Sequence, residues 1–283
     1  MASSLKNCRK YFGFSWLKYC LRLFLNKTIA IAGWLLNFHF PEKYIWKWKL
    51  DFLFRRYEKE TVSLVKKKIK RGMTIVDVGA HIGYYTRIFS ELAGNNGTVY
   101  AFEADPENFA LLEKNTKHLA NVKCYQLAVT DHAGTIDFYH CDEKTGCHST
   151  ISELPINLPV RKISVQAADI DSMFAKEQIK SVDLVKIDVE GGEPAVLRGM
   201  RKILKANSSI QLVMEFAPAW ILAGGVDLKN FLEEITALGF KISIITKDGL
   251  EDFLLHKILS PQNLMPEYFV NLYCARTTIK KQY

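Results

Sequence analysis

Two stretches put charged side chains where an apolar run gives out, and both read as places where a ligand meets the end of a strand. In "DVGAHIGYYT", Asp77 to Thr86, Gly79 lets the chain turn tightly off a strand and Gly83 lets a following helix pack close. The free N–H groups of such a turn face whatever lies above the sheet. A dinucleotide fingerprint is excluded, because G-x-G-x-x-G needs glycine at position 81, where His81 stands. Twenty residues after Gly83, "VYAFEAD" supplies Glu103, a carboxylate able to accept both hydroxyls of a ribose at the end of the neighbouring strand. A nucleoside ligand without pyrophosphate fits this pair of features. S-adenosylmethionine is such a compound, and Asp77 is placed to receive its cationic amino-acid end. In the competing reading, Asp77 and Glu103 only cap their own turns.

The second stretch is "VKIDVEGGEPAVLRG", residues 185–199. Leu184, Lys186, Asp188 and Glu190 alternate with Val185, Ile187 and Val189, so a strand carries Asp188 and Glu190 on one face at its end. In an open α/β sheet that end borders the ligand crevice. Two carboxylates there can position a bound polar group or take up its proton. Gly191 and Gly192 keep the backbone open for substrate. Three other readings stand beside this one. Asp188 caps the helix that starts near Pro194; Glu190 pairs with Lys186 or Arg198; or Asp188, Glu190 and Glu215, at the end of "IQLVMEF", hold Mg²⁺. The residues allow a metal without demanding one.

Positioning these groups requires a sheet. From residue 74 short β-branched runs alternate with helical stretches, the mark of a mostly parallel sheet covered on both faces. Seven strands are expected: Thr74–Val78, Thr98–Phe102, Val122–Val129, Asp183–Val189, Ile210–Phe216, Lys241–Thr246 and Phe269–Ala275. Asp105-Pro106, Glu193-Pro194 and Asp227 read as helix starts, and Gly239 as a stop. Around residues 130–168 the rhythm changes to an inserted hairpin. Asp169 and Asp171, in "DID", read as a helix cap rather than as the D-x-D of sugar-nucleotide chemistry.

Over about residues 70 to 277 the chain resembles the FkbM family of S-adenosylmethionine-dependent methyltransferases. The resemblance is carried by "TIVDVGAHIGYYT", "VYAFEADPENFALLEKN", "LAVTDHAGTIDF", "TGCHST", "AADIDSMF", "VDLVKIDVEGGEPAVLRG" and "NLYCAR". It implies a Rossmann-like class I methyltransferase fold and methyl transfer to a hydroxyl of a sugar or related metabolite. It also spreads the donor site over Asp77, Gly79, Ala80, His81, Gly83 and Thr86, then Glu103, Ala104 and Asp105, and Ala128. His148, in "TGCHST", falls on a loop beside the donor, where an imidazole suits proton transfer and a solvent-exposed histidine is the plainer outcome.

The net charge of +8 is uneven: residues 1–71 carry 17 Lys and Arg against 4 acids, leaving 21 against 26 for the rest. In that basic arm Phe12, Trp16, Tyr19, Cys20, Leu23 and Phe24 recur at helical spacing, with Ser15, Lys18 and Arg22 opposite. The run from Thr28 to Phe40 stops at Pro41, 13 residues long and too short to span a bilayer. Lys18, Arg22 and Lys27 interrupt any signal-peptide core. Residues 9–40 are therefore expected to rest on an anionic membrane surface, the chain staying cytoplasmic at its inner face; the other reading is a helical cap packed on the domain, residues 71–283. Cys8, Cys20, Cys124, Cys141, Cys147 and Cys274 form no C-x-x-C pair, and His140-Cys141 with Cys147-His148 match no familiar zinc spacing, so no metal is expected there. The expected acceptor is a sugar or glycan precursor. No N/D-P-P-Y/F motif supports amino-group methylation, and no nucleic-acid partner is expected; protein or nucleic-acid methylation and a non-catalytic donor-binding scaffold are the alternatives.

Overall fold

A computed structural model describes residues 2–143, 145–255 and 260–276, the side chains of residues 2–15 and 17 excepted. Contacts divide the chain into two compact units, 1–59 and 60–283.

The larger unit is built on an eight-stranded sheet with the order β10-β9-β11-β8-β7-β1-β2-β3. Its strands are β1 (Thr74–Val78), β2 (Thr98–Phe102), β3 (Val122–Tyr125), β7 (Leu184–Ile187), β8 (Gln211–Phe216), β9 (Phe240–Thr246), β10 (Gly249–Asp252) and β11 (Val270–Arg276). A second sheet of three holds β4 (Ala128–Val129), β5 (Gly134–Cys141) and β6 (Val160–Ala168), in the order β4-β6-β5. The seven expected strands are present. The apolar run at 122–129 divides after Tyr125, sending β4 to the small sheet, where it pairs with β6 of the β5–β6 hairpin. The eighth strand, β10, reads "GLED" and shows no apolar period; it exists because it folds back antiparallel on β9.

Strands β3, β2, β1, β7 and β8 run parallel, and β1 and β7 are buried along nearly their whole length, as expected of strands covered on both faces. The helices of this unit are α3 (Lys59–Lys68), α4 (Tyr84–Ala93), α5 (Pro106–Thr116), α6 (Ile170–Lys176), α7 (Glu193–Gly199), α8 (Arg201–Ala206), α9 (Pro218–Ala223) and α10 (Leu228–Ala237). Several caps are those the sequence announces. Asp105 accepts from the N–H groups of Glu107 and Asn108, Asp227 from Asn230, and Asp169 from Ser172. Asp171 accepts from Lys202 and Ile203 at the start of α8, so both acids of "DID" serve helix termini. Glu193 lies inside α7, whose N-cap is Gly192.

Register decides what reaches the crevice. Val78 pairs with Phe102 and with Ile187, and Ile187 with Met214. The next residues, Gly79, Glu103, Asp188 and Glu215, therefore leave or end their strands at one edge. Chain direction switches sides between β1 and β7, the place where open α/β sheets bind ligands.

The smaller unit pairs α1 (Ala2–Leu35) with α2 (Trp46–Leu53). The arm and the following apolar run form one continuous helix, which ends as the Phe38 N–H turns back to Gly33 O. Gly33 is required there, because a Cβ would lie 2.6 Å from both Phe38 O and the Phe40 ring. Phe38, Tyr44 and Phe52 are buried, with rings of Phe38 and Phe40 4.9 Å apart and of Phe52 and Tyr57 4.8 Å apart. Among the described residues no helix is long and apolar enough to cross a membrane.

Candidate active site

The turn after β1 is left-handed at three positions: Gly79 (φ 79), His81 (φ 53) and Gly83 (φ 88). At Gly79 the requirement is absolute, since a Cβ would sit 1.7 Å from the Asp188 main-chain oxygen. The turns after β1 and β7 are thus pressed backbone to backbone. Gly79 and Ala80 donate their N–H groups to Phe102 O, which ties the turn to the end of β2. Ala80 packs with Ala101 and Leu112.

Two carboxyls lie below this turn. Asp77 is 1% exposed; Thr86 donates its hydroxyl to Oδ2 at 2.6 Å, and Oδ1 has no hydrogen-bond partner among the described residues. Burial pushes its carboxyl up to about 6, against the opposing pull of Lys186 and Thr86. Glu103 is held from both sides, Oε2 accepting from His81 N at 2.8 Å and Oε1 from Asp105 N at 2.9 Å. Burial outweighs these bonds and pushes the Glu103 carboxyl up to about 8.

These groups fit S-adenosylmethionine. A buried anionic oxygen without a partner suits the ligand's ammonium, and a carboxylate with one N–H on each oxygen keeps a lone pair on each for ribose hydroxyls. Ala104 and Ala128 pack together behind Glu103. The Asp105 carboxyl is spent on capping α5 and on His140, so only its main chain reaches Glu103.

Across the switch point, oxygens of Asp188, Glu190 and Glu215 come within 4.8 Å of one another. Asp188 and Glu190 meet as the alternation suggests, but by a different route: β7 ends at Ile187, and a turn swings Glu190 back. Glu190 takes φ 52 and Gly191 φ 93, so a non-glycine residue occupies the left-handed region at the point where chemistry is expected. The turn is over-determined by its surroundings. Ser149 Oγ donates to Glu190 O at 2.7 Å, and the N–H groups of Val189 and Gly191 donate to Glu193 Oε1.

Lys186, 2% exposed, donates to Asp188 Oδ2 at 2.6 Å with its ammonium 4.6 Å from the Tyr85 ring centre. It therefore serves Asp188. Arg198 bonds Asp131 and the Asp188 carboxyl bonds Lys186, while Glu193 ties down the turn before α7, so Arg198 is not the partner of Glu190 and Asp188 is not the cap of that helix. The oxygen set also suits a hard cation in its chemistry, although Lys186 already provides Asp188 with a counter-charge.

Residues 77–242, more than half of the chain, match the family described as Methyltransferase FkbM domain. The chain belongs to the FkbM methyltransferase family. It is an S-adenosylmethionine-dependent methyltransferase on the Rossmann-like class I fold. It is 24% identical over 190 residues to the 2-O-methyltransferase NoeI of Sinorhizobium fredii, covering 63% of this chain and 76% of that one. It is 24% identical over 210 residues to the hexuronic acid methyltransferase AglP of Haloferax volcanii, covering 74% and 79%. It is 28% identical over 160 residues to the 31-O-demethyl-FK506 methyltransferase FkbM of Streptomyces tacrolimicus, covering 47% and 61%.

One family segment behaves unlike its expectation. His148 is 8% exposed, not a solvated loop residue, and its ring stacks on His140 at 4.3 Å between centres. His140 Nδ1 bonds the buried Asp105 carboxyl. His148 Nδ1 accepts from Cys141 N at 2.9 Å, so a neutral His148 carries its proton on Nε2, the atom 3.9 Å from Asp105. That tautomer has no lone pair for a metal at Nε2, although Asp105, His140 and His148 lie close enough to share one. The imidazole thus lies beside the Asp105 carboxyl. His81 Nε2 lies 3.1 Å from Thr145 Oγ1 and Asn108 donates to Thr145 O, so the loop is fastened beside Glu103. Burial holds the His81 imidazole down to about 4, hence neutral.

Sequence reasoning missed Lys186, Ser149 and Glu193 as parts of the site. Each stands inside a quoted motif, and a lysine inside an otherwise apolar strand was the available signal. A pocket of about 270 Å³ opens next to the β7 turn, lined by Thr150, Ile151, Gly191, Gly192, Arg198 and Gly224 among others.

Proposed function

We propose that this methyltransferase transfers its methyl group to a hydroxyl of a sugar or glycan precursor. The observation that carries the reading is the convergence of Asp188, Glu190 and Glu215 at the strand ends beside the donor turn. Bound S-adenosylmethionine supplies an electrophilic methyl carbon on a sulfonium. Glu190 accepts the proton of the attacking hydroxyl, the oxygen–carbon bond forms as the carbon–sulfur bond breaks, and neutral S-adenosylhomocysteine leaves. Asp188, steadied by Lys186, orients the same hydroxyl. The pocket beside Gly191 and Gly192, with backbone rather than bulky side chains on one wall, suits a flat polyhydroxylated ring. The names of two relatives, a 2-O-methyltransferase and a hexuronic acid methyltransferase, favour the same class. The test is incubation with S-adenosylmethionine and a panel of neutral and uronic-acid oligosaccharides, read as S-adenosylhomocysteine release and a mass gain of one methylene. Methylation of carrier protein or RNA in place of every saccharide would overturn the reading.

A further inference from the structure

We propose that the smaller unit is a monotopic docking element, and that the partner of its outer face is an anionic lipid surface. Of the 19 large apolar residues that stand exposed among the described ones, 12 lie between Trp16 and Tyr57, although the other unit is far larger. They are not scattered. With successive residues about 100° apart on a helix, Trp16, Tyr19, Leu23 and Trp34 of α1 fall within about 60° of one another, and Phe24, Ile31 and Leu35 extend the arc to about 160°. Their exposures run from 43% at Leu23 to 68% at Leu35. Ile29 and Gly33, which are buried in the hairpin of α1 and α2, lie outside the arc. The small unit thus completes its own aromatic core and still leaves a broad apolar face.

Charge selects the occupant. Residues 1–59 hold 12 Lys and Arg against 3 acids, a balance that opposes association of two copies and favours an anionic bilayer. The cations sit among the rings: Arg56 lies 5.4 Å from the Phe54 ring centre and Lys47 5.6 Å from that of Trp46, and Lys27 breaks the arc with a stem long enough to reach the headgroups. Exposed Trp16, Trp34, Trp48, Tyr19 and Tyr57 are the residue types that settle at a lipid–water boundary. With no helix among the described residues long and apolar enough to cross, the element lies in the interface rather than through it. The proposal does not depend on which acceptor is methylated.

The test uses the full chain with vesicles of phosphatidylcholine alone and of two parts phosphatidylcholine to one part phosphatidylglycerol. Co-sedimentation is expected with the anionic vesicles and weakly or not at all with the neutral ones. Phe24→Glu with Trp34→Glu, both on the exposed face, should weaken it about tenfold or more, and Arg22→Gln with Lys27→Gln by about tenfold, while S-adenosylmethionine affinity stays at the unsubstituted level. Failure to bind either vesicle, or binding indifferent to phosphatidylglycerol or to these substitutions, overturns the proposal. A concentration-dependent dimer in light scattering that the Phe24 and Trp34 substitutions abolish would also overturn it and give the face to a second copy.

Discussion

The turns after β1 and β7 are built from similar backbone and finished in opposite ways. Both pass through the left-handed region, and they touch where Gly79 meets the Asp188 carbonyl. On the donor side glycines occupy two of the three left-handed positions, and the carboxyls of Asp77 and Glu103 are buried and raised by desolvation. On the other side Glu190 itself bears the unfavourable φ, and Asp188 and Glu190 are only partly buried. The difference separates two tasks. A donor reused at every turnover calls for a dry, fixed cradle, whereas a changing acceptor calls for acids that meet solvent and are held by strain.

The strongest way to break the comparison is to part the turns where they touch. In Gly79→Ala the new methyl would lie 1.7 Å from a main-chain oxygen that no rotamer can move, at a φ that alanine disfavours. We expect a loss of about 3 kcal/mol or more in urea unfolding and no measurable turnover. A folded, active Gly79→Ala enzyme would show that the turns are independent.

Glu190→Gln sharpens the contrast. Turnover should fall about 10²–10⁴-fold while calorimetric affinity for S-adenosylmethionine is kept. Equal losses in both would move Glu190 to the donor site. Glu190→Gly should be as inactive yet equally or more stable by up to about 1 kcal/mol, because it releases the left-handed strain. Its mirror is Glu103→Ala, expected to weaken donor binding about 10–100-fold. An unchanged affinity would leave Glu103 as a brace for His81 and Asp105 only.

Much of this division was legible in the sequence, and the limits of that legibility are physical. Strand periodicity and the glycine spacing announce β1, β2 and β7 and the carboxyls that follow them, because parallel strands align their ends. The hairpin partner β10 has no period of its own to read. The alternation offers Lys186 as a partner for the acids on its own face, but its place against the Tyr85 ring is a tertiary event that only the fold supplies. The same holds for Asp105, whose sequence context as a cap was clear but whose bond to His140 joins residues 35 apart. His148 was assigned by its neighbourhood in the chain, and the stacking that draws it towards Asp105 is set by the β5–β6 hairpin.

The smallest expected effect is the most specific to the donor side, and it is a pH dependence. Burial holds Glu103 up to about 8 and Glu193 up to about 7, against 4.5 for the ordinary glutamate carboxyl. Between those values the folded chain keeps protons that the unfolded chain has lost, so this contribution is full at low pH and fades as pH rises through the folded values. His81 works the other way: held down to about 4, it costs stability below about 6.5, where the unfolded imidazole takes up a proton. The clean window is therefore pH 6.5 to 8, across which the melting temperature should fall by about 4 °C or more. Glu103→Gln should flatten that slope. Ribose hydroxyls favour the ionised Glu103, so donor binding should release a proton and tighten as pH climbs toward 8, seen as a buffer-dependent calorimetric heat. A slope that survives Glu103→Gln would assign the proton to Glu193, beneath the acceptor turn, and the two sides of the site would then share the dry chemistry that the comparison gives to one.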